Sequence, residues 1–167
     1  MTTHIADRFR RLFEYEKDAH MKVIASLMAV SADNRSSPQY QKAVDLFAHI
    51  CAARWLWLYR LGATDQSPRD IFPQRVAVDS LTSIAEEMHG VWSDYLSYLD
   101  DAETARVFEY SSLDGRQFRN SVEDILAQLF GHSLYHRGQI ALLLRLIEAE
   151  PAVTDFVFWS REAIATK

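Results

Sequence analysis

Hydrophobic side chains recur every three or four residues along most of this chain, a pattern that predicts long amphipathic helices. The first helix is expected over residues 3–30. Its inner side carries Phe9, Phe13, Glu16, His20, Val23 and Leu27. A second helix is expected over residues 38–61. Ser37 can cap this helix, Pro38 suits its first position, and Gly62 can end it.

The connection that follows, residues 62–78, is long and shows no clear period. Its 17 residues can span up to about 55 Å, whereas a helix of about 24 residues is roughly 36 Å long. We therefore expect the connection to cross the whole bundle, so that the third helix begins at the opposite end. Asp79 or Ser80 caps that helix, which is expected to run to about Asp100.

The region before the last long helix has a different period. Residues 106–120 alternate apolar and polar side chains around a Leu-Asp-Gly-Arg turn, which predicts a short β-hairpin. Ser121 and Asp124 resemble a capping box and open a fourth helix that runs to about residue 149. A short helix over residues 155–165 completes the prediction. The fold class is an all-α four-helix bundle with a crossover connection, in a single domain over residues 1–167.

Composition narrows the classes of protein. With 167 residues, 49% of them hydrophobic, the chain can fill one core. The net charge of −5 and the scattered Lys and Arg argue against nucleic-acid binding. The single cysteine, Cys51, excludes an internal disulfide and is expected to be a core or interface thiol. There is no signal-like or membrane-spanning apolar run, so we expect a soluble cytoplasmic protein with no membrane partner.

The fourth predicted helix carries two histidines where leucine or isoleucine would be expected, in "LFGHSLYHRGQIALLLRLI" (residues 129–147). His132 and His136 are four residues apart, so they share one helix face and could converge on a metal ion. They could equally be half-buried core histidines that hydrogen-bond to backbone or water. The pair alone leaves both interpretations open.

A third histidine favours the interpretation as a metal site. His49 lies in an inner seam of the second helix and is the twelfth residue from its start, as His132 is from Ser121. If the two helices run side by side, all three imidazoles can meet at one depth. Buried polar groups need partners, so three histidines in core seams point to an open three-histidine metal site.

Two segments also carry a family resemblance: "LFAHICAARWLWLYRL", with His49 before an aromatic-rich half-helix, and the HxxxH of the fourth helix followed by Arg-Gly-Gln-Ile. The chain resembles the DinB/YfiT-like metalloproteins over nearly its whole length. That resemblance implies a four-helix bundle and a homodimer, with His49, His132 and His136 as the metal ligands. It also implies that Gly138 allows close helix packing one turn beyond the site.

The sequence gives weaker evidence that other titratable residues belong to the site. Glu16 and His20 share a face of the first helix, where Glu16 could be a general base and His20 either a partner of the metal ligands or an extra ligand. The competing interpretation, slightly favoured, is that this seam turns outward and the two side chains are solvated or paired with each other. His4 and His89 are expected at the surface.

Several chemistries are rejected. The segment Glu86-Glu87-Met88-His89 contains one E-x-x-H unit, but a di-iron carboxylate site needs a second unit and two more glutamates. The sequence "HSLYH" lacks the glutamate of a zinc-protease HExxH motif. No glycine-rich phosphate loop follows a strand. Five consecutive large apolar residues, 55–59 (Trp55 to Tyr59), cannot all be buried by one helix face. The long connection could cover part of this surface; otherwise it is an association surface, and a homodimer through the second helix is expected.

A three-histidine site can activate water or bind a thiolate. The first hypothesis is therefore a metal-dependent enzyme of small molecules, either a hydrolase or a transferase of a low-molecular-weight thiol. The family resemblance implies either activity, hydrolase or thiol transferase, with bacillithiol or mycothiol as examples of the thiol. The alternatives are a non-catalytic metal- or ligand-binding stress protein and a dimeric structural bundle without metal. Zn²⁺, Ni²⁺, Fe²⁺, Cu²⁺ and Mn²⁺ all suit three imidazoles to some degree.

Overall fold

Long helices dominate the computed structural model, which describes residues 4–164. In chain order the elements are α1 (Ile5–Met28), α2 (Pro38–Leu61), α3 (Leu81–Ser97), α4 (Asp101–Ala105), β1 (Val107–Ser111), β2 (Gln117–Ser121), α5 (Val122–Leu146) and α6 (Phe156–Ser160). Short 3-10 turns precede α2 and α3. The all-α four-helix bundle, the small antiparallel hairpin and the short C-terminal helix are confirmed.

Local capping signals placed two of the long helices correctly. The Ser37 hydroxyl accepts a hydrogen bond from the Tyr40 amide at the start of α2, and Gly62 ends that helix with a left-handed φ of 78°. Ser121 and Asp124 form a reciprocal capping box at the start of α5. These signals involve residues only three apart, which is why sequence alone reveals them.

The long connection does cross the bundle. It leaves the end of α2, yet the Val76 amide donates to Asp45 Oδ1 at 3.0 Å, and Gln41 Nε2 donates to the Val76 carbonyl at 3.1 Å. Because Gln41 lies in the first turn of α2, the connection has returned along that helix. Consequently α3 runs parallel to α2, and Trp92 Nε1 donates to the Arg54 carbonyl at 3.2 Å.

The other two long helices run in the opposite direction. Tyr40, near the start of α2, donates to the Leu27 carbonyl near the end of α1. Asn34, just before α2, donates from Nδ2 to the Ile147 carbonyl, just after the end of α5, at 2.7 Å. The core between the four helices is closed by fully buried side chains, among them Phe47, Ile50, Leu81, Met88, Trp92, Leu129, Ile140 and Leu144. This arrangement brings the midpoints of α2 and α5 against each other.

Three predicted details are wrong. The third helix ends at Ser97 rather than near Asp100, because the Asp100 carboxylate caps the separate helix α4 by accepting from the Glu103 amide at 2.7 Å. The last helix, α6, has only five residues. Residues 161–164 are exposed, and a short helix is stable only where it packs against the rest of the protein, so the helix does not continue through them. Gly138 is exposed, and no neighbour lies within 4 Å of where its Cβ would be. The predicted start at Thr3 and the last predicted helical residue, 165, lie outside the described residues.

The hairpin covers part of the apolar run at the end of α2. Leu58 is buried, while Trp57 packs edge-to-face on Tyr110 with the ring centroids 4.9 Å apart. Tyr59 is exposed. Dimerisation through this run stays a prediction. None of the helices between residues 4 and 164 has both the length and the apolar character needed to cross a membrane.

Candidate metal centre

The antiparallel contact between α2 and α5 brings His49, His132 and His136 together. His132 Nε2 lies 3.2 Å from His49 Nε2 and 3.1 Å from His136 Nε2. One ligand atom from each of the three residues falls within 4.8 Å of the others. Nitrogens bound to one ion at about 2.0–2.1 Å in tetrahedral geometry lie about 3.4 Å apart, so these separations fit a shared ion.

The opposite ring nitrogens fix two of these histidines in the tautomer that a metal needs. His49 Nδ1 donates to the Ile71 carbonyl, and His136 Nδ1 donates to Gln139 Oε1 at 2.7 Å. A carbonyl oxygen can only accept a hydrogen bond, so the proton of each ring is on Nδ1 and its Nε2 presents a lone pair. The one ring N–H of His132 can satisfy at most one of these lone pairs. At least one lone pair is left without a hydrogen-bond donor, so the three nitrogens are suited to bind a cation.

The electrostatics favour neutral imidazoles. Burial, with smaller contributions from His136, His49 and Arg54, lowers the pKa of His132 to about 4. Burial also lowers the pKa of His136; the hydrogen bond with Gln139 opposes this shift, while the nearby charge of Lys42 adds to it. Both rings are consequently neutral near pH 7, the form that binds a metal.

A groove opens beside two of the three histidines. We call it the metal-site groove; its volume is about 480 Å³. It is lined by Lys42, Asp45, Leu46, His49, Phe72, Pro73, Gln74, Tyr135, His136, Gln139, Leu142 and Leu143. The Phe72 ring stacks on His49 with the centroids 4.8 Å apart and an angle of 13° between the planes. The crossover connection thus supplies both a wall of the groove and, through Ile71, a hydrogen-bond acceptor for His49.

A second group of polar side chains is buried in the bundle and does not line this groove. His20 Nδ1 and His89 Nε2 are 3.0 Å apart, and His20 Nε2 lies 3.0 Å from the Ser133 hydroxyl. We call His20, His89 and Ser133 the sealed cluster. Burial lowers the pKa of His20 well below its usual value and that of His89 to about 4.

The sealed cluster corrects an expectation about His89. The ring is only 8% exposed, because α3 packs against both α1 and α2 and so buries a wider arc than one stripe. That arc also includes the fully buried Trp92. His4 is at the surface as expected, where it pairs with Asp101.

The inner face of α1 does not turn outward. Glu16 and His20 are both buried, and Glu16 forms an ion pair with the buried Arg54 rather than with His20. The slightly favoured sequence interpretation, a solvated or self-paired seam, is therefore wrong. Neither residue lines the metal-site groove, and the polar partners of His20 are His89 and Ser133. The proposed roles of Glu16 as a base and His20 as a partner of the ligands stay predictions.

Sequence reasoning missed several residues around the site. Asp45 is one turn before His49, and Gln139 is three residues after His136, so helical spacing could have identified both. Phe72 and the Ile71 carbonyl lie in a connection without periodicity, which carries no such signal. Cys51 is a buried core thiol whose pKa burial raises to about 12, so it is unreactive.

The rejected di-iron alternative receives no support from this region. Glu86 and Glu87 are exposed on α3, while His89 points inward to His20. Within residues 4–164, the cluster of His49, His132 and His136 is the group of side chains positioned to hold a metal ion.

Comparison with known proteins identifies the family. A sequence model of the DinB family matches residues 1–166. Searches of curated proteins and of solved structures gave no match. The match covers both histidine-bearing helices, the crossover connection and the hairpin. The chain therefore belongs to the DinB family.

Proposed function

We propose that this chain is a metal-dependent enzyme acting on small molecules, as a hydrolase or as an S-transferase that uses a low-molecular-weight thiol. His49, His132 and His136 are the proposed ligands of a divalent transition-metal ion. The observation that carries the proposal is the convergence of three Nε2 atoms, two of them with lone pairs fixed by hydrogen bonds at Nδ1.

A divalent ion held there supplies a Lewis acid that lowers the pKa of water or of a thiol to near neutrality. The chain itself provides the positioning. The Ile71 carbonyl and Gln139 hold two imidazole rings in place, which strengthens ligand binding and fixes its direction. Phe72 covers one ring of the site and limits the access of bulk water.

Two carboxylates are candidates for proton transfer, and their environments differ. Glu16 is neutralised by Arg54 in the interior and lies outside the metal-site groove. Asp45 lines that groove, one turn from His49, although its Oδ1 already accepts from Val76 and Gln41. A role in proton transfer is therefore more accessible to Asp45 than to Glu16.

The contacts that the two carboxylates already make also support the second candidate, a non-catalytic metal- or ligand-binding bundle. Both Glu16 and Asp45 have structural partners, so neither is a free base. The two candidates share the metal site and differ only in turnover.

The first experiment is elemental analysis of untagged protein purified without added metal, compared with His132→Ala. We expect close to one ion per chain in the wild type and little in the variant. His4→Ala is the matched control, because His4 is exposed and remote from the groove. Circular dichroism verifies that each variant is folded. Equal and negligible metal in all three proteins, persisting after incubation with Zn²⁺ or Ni²⁺, would contradict the proposal.

A second experiment separates the two candidates. The metal-loaded protein is assayed with activated esters and, separately, with a low-molecular-weight thiol plus an electrophile. Turnover that disappears in His132→Ala supports the enzyme. Stoichiometric metal with no turnover in either assay favours the non-catalytic alternative.

A further inference from the structure

The metal-site groove has a defined direction. Lys42, Leu46 and His49 occupy one face of α2 at spacings of four and three residues. Lys42 is therefore two turns from His49, about 10 Å along the helix axis. On the antiparallel helix α5, His136 and Leu143 follow the same spacing toward the same end. A ligand in the groove can accordingly extend from the three Nε2 atoms to Lys42.

The charges along this path favour an anion. Three neutral imidazoles leave the charge of a divalent ion undiminished. Asp45 is the carboxylate that lines the groove among the described residues, and it is buried with its Oδ1 held by Val76 and Gln41. The Lys42 ammonium makes no ion pair with any acidic side chain in residues 4–164. It is thus free to meet a negative group of a ligand.

The rest of the groove lining is mostly apolar. Leu46 comes from α2, Phe72 from the connection, and Tyr135, Leu142 and Leu143 from α5. Phe72 and Tyr135 are largely exposed, with 57% and 64% of their surface accessible. Apolar side chains left exposed around a metal-binding cluster provide a surface for the hydrocarbon part of a ligand.

We propose that the groove binds an elongated organic anion: a metal-binding group, such as a thiol, at one end, an apolar chain, and a carboxylate that meets Lys42 at the other. This inference rests on the proposed function, because it requires an ion at the three histidines. It makes Lys42 a determinant of specificity that acts on the charge of the ligand and not on the metal.

Two length-matched probes test this directly: 6-mercaptohexanoate and its neutral analogue 6-mercaptohexan-1-ol. Each is titrated into Co²⁺-loaded protein, in which binding of the thiolate to the ion changes the visible absorption and the thiol proton is released to the buffer. We expect the wild type to bind the carboxylate about three- to fivefold more tightly than the alcohol, a ratio typical of a partly exposed ion pair. Lys42→Met should remove this preference, while the protein still takes up close to one Co²⁺ per chain.

The matched control is Lys22→Met, on α1, where the lysine is paired with Asp18 away from the groove. It should retain the wild-type preference. The inference is overturned if the wild type binds both probes equally, if Lys42→Met keeps the preference, or if Co²⁺-loaded protein binds neither thiol; in these cases the metal site stands. A protein that takes up no Co²⁺ contradicts the proposed function itself, and this inference with it.

Discussion

Two clusters of histidines lie at the middle of the same bundle, and their chemistry differs. In the sealed cluster, His20 has a polar partner at each ring nitrogen, namely His89 and Ser133. In the metal centre, His49 and His136 have a partner for Nδ1 and direct Nε2 toward a third imidazole. Both clusters contain histidines that burial keeps neutral near pH 7.

The difference shows that burial of histidines does not by itself indicate a metal site. A neutral imidazole has one donor and one acceptor, and a chain of such groups can satisfy itself, as the sealed cluster does. In the metal centre, Nε2 of His49 and Nε2 of His136 both face His132, whose single ring N–H can satisfy only one of them. Orientation therefore separates a structural histidine from a candidate ligand.

The largest expected effect comes from removing one ligand. His136→Ala should lower the affinity for Zn²⁺ by more than about 100-fold, above the 10- to 100-fold typical for loss of a group that only orients a ligand. Competition with a chromophoric chelator measures this affinity. The stability of the metal-free protein should change little, because His136 is only partly buried. Unchanged Zn²⁺ affinity would remove the distinction between the two clusters.

The reverse pattern is expected in the sealed cluster. His20→Ala should lower the free energy of unfolding by about 2–4 kcal/mol, because it leaves a cavity and deprives His89 and Ser133 of their partner. Urea unfolding of metal-free protein measures the change. The Zn²⁺ affinity should stay within about threefold of the wild type. A large loss of affinity in His20→Ala would instead assign His20 to the metal centre.

Much of this architecture could be predicted from local sequence signals. The ends of α2 and the start of α5 follow from caps, and the depth of His49 and His132 follows from counting residues along two helices. Helical periodicity also put Glu16 and His20 on one face. It could not reveal that Arg54, from another helix, would neutralise Glu16 and keep that face inside.

The remaining features depend on contacts distant in sequence. Phe72 and the Ile71 carbonyl reach His49 only because the connection folds back along α2. His89 is buried because α3 has two neighbours, and no single-stripe pattern indicates this. The three histidines of the candidate site were thus predictable, and the groups that orient and cover them were not.

A smaller effect should follow from loosening one of those orienting groups. In Gln139→Leu, the His136 ring loses the acceptor that fixes its tautomer, so Zn²⁺ affinity should fall about 10-fold while the ligand remains. Isothermal competition titration measures the change. Gln117→Leu, in the exposed hairpin, is the control. An affinity equal to the wild type would mean that helix packing alone holds the ring.

A final expected effect, small per pH unit, is a dependence of stability on pH that is specific to the sealed cluster. The unfolded chain protonates His89 near its ordinary pKa of 6.5, whereas the folded protein resists protonation down to a pKa of about 4. The contribution of this residue to stability is therefore fully present above pH 6.5 and declines as the pH falls toward 4. The free energy of unfolding should change with pH by at most about 1 kcal/mol per pH unit, which is less than a fully buried titrating group would give.

Urea unfolding of the metal-free protein at several pH values measures this dependence, with His89→Asn beside the wild type. The variant should show a flatter decline between pH 6.5 and 4, since its side chain takes up no proton. His4→Asn is the control with the opposite sign: Asp101 raises the pKa of His4, so that contribution is present at low pH and is lost as the pH rises. If His89→Asn declines as steeply as the wild type, another group is responsible for the acid sensitivity. Because every titratable group other than His89 is present in both His89→Asn and the wild type, the difference between their pH dependences isolates His89.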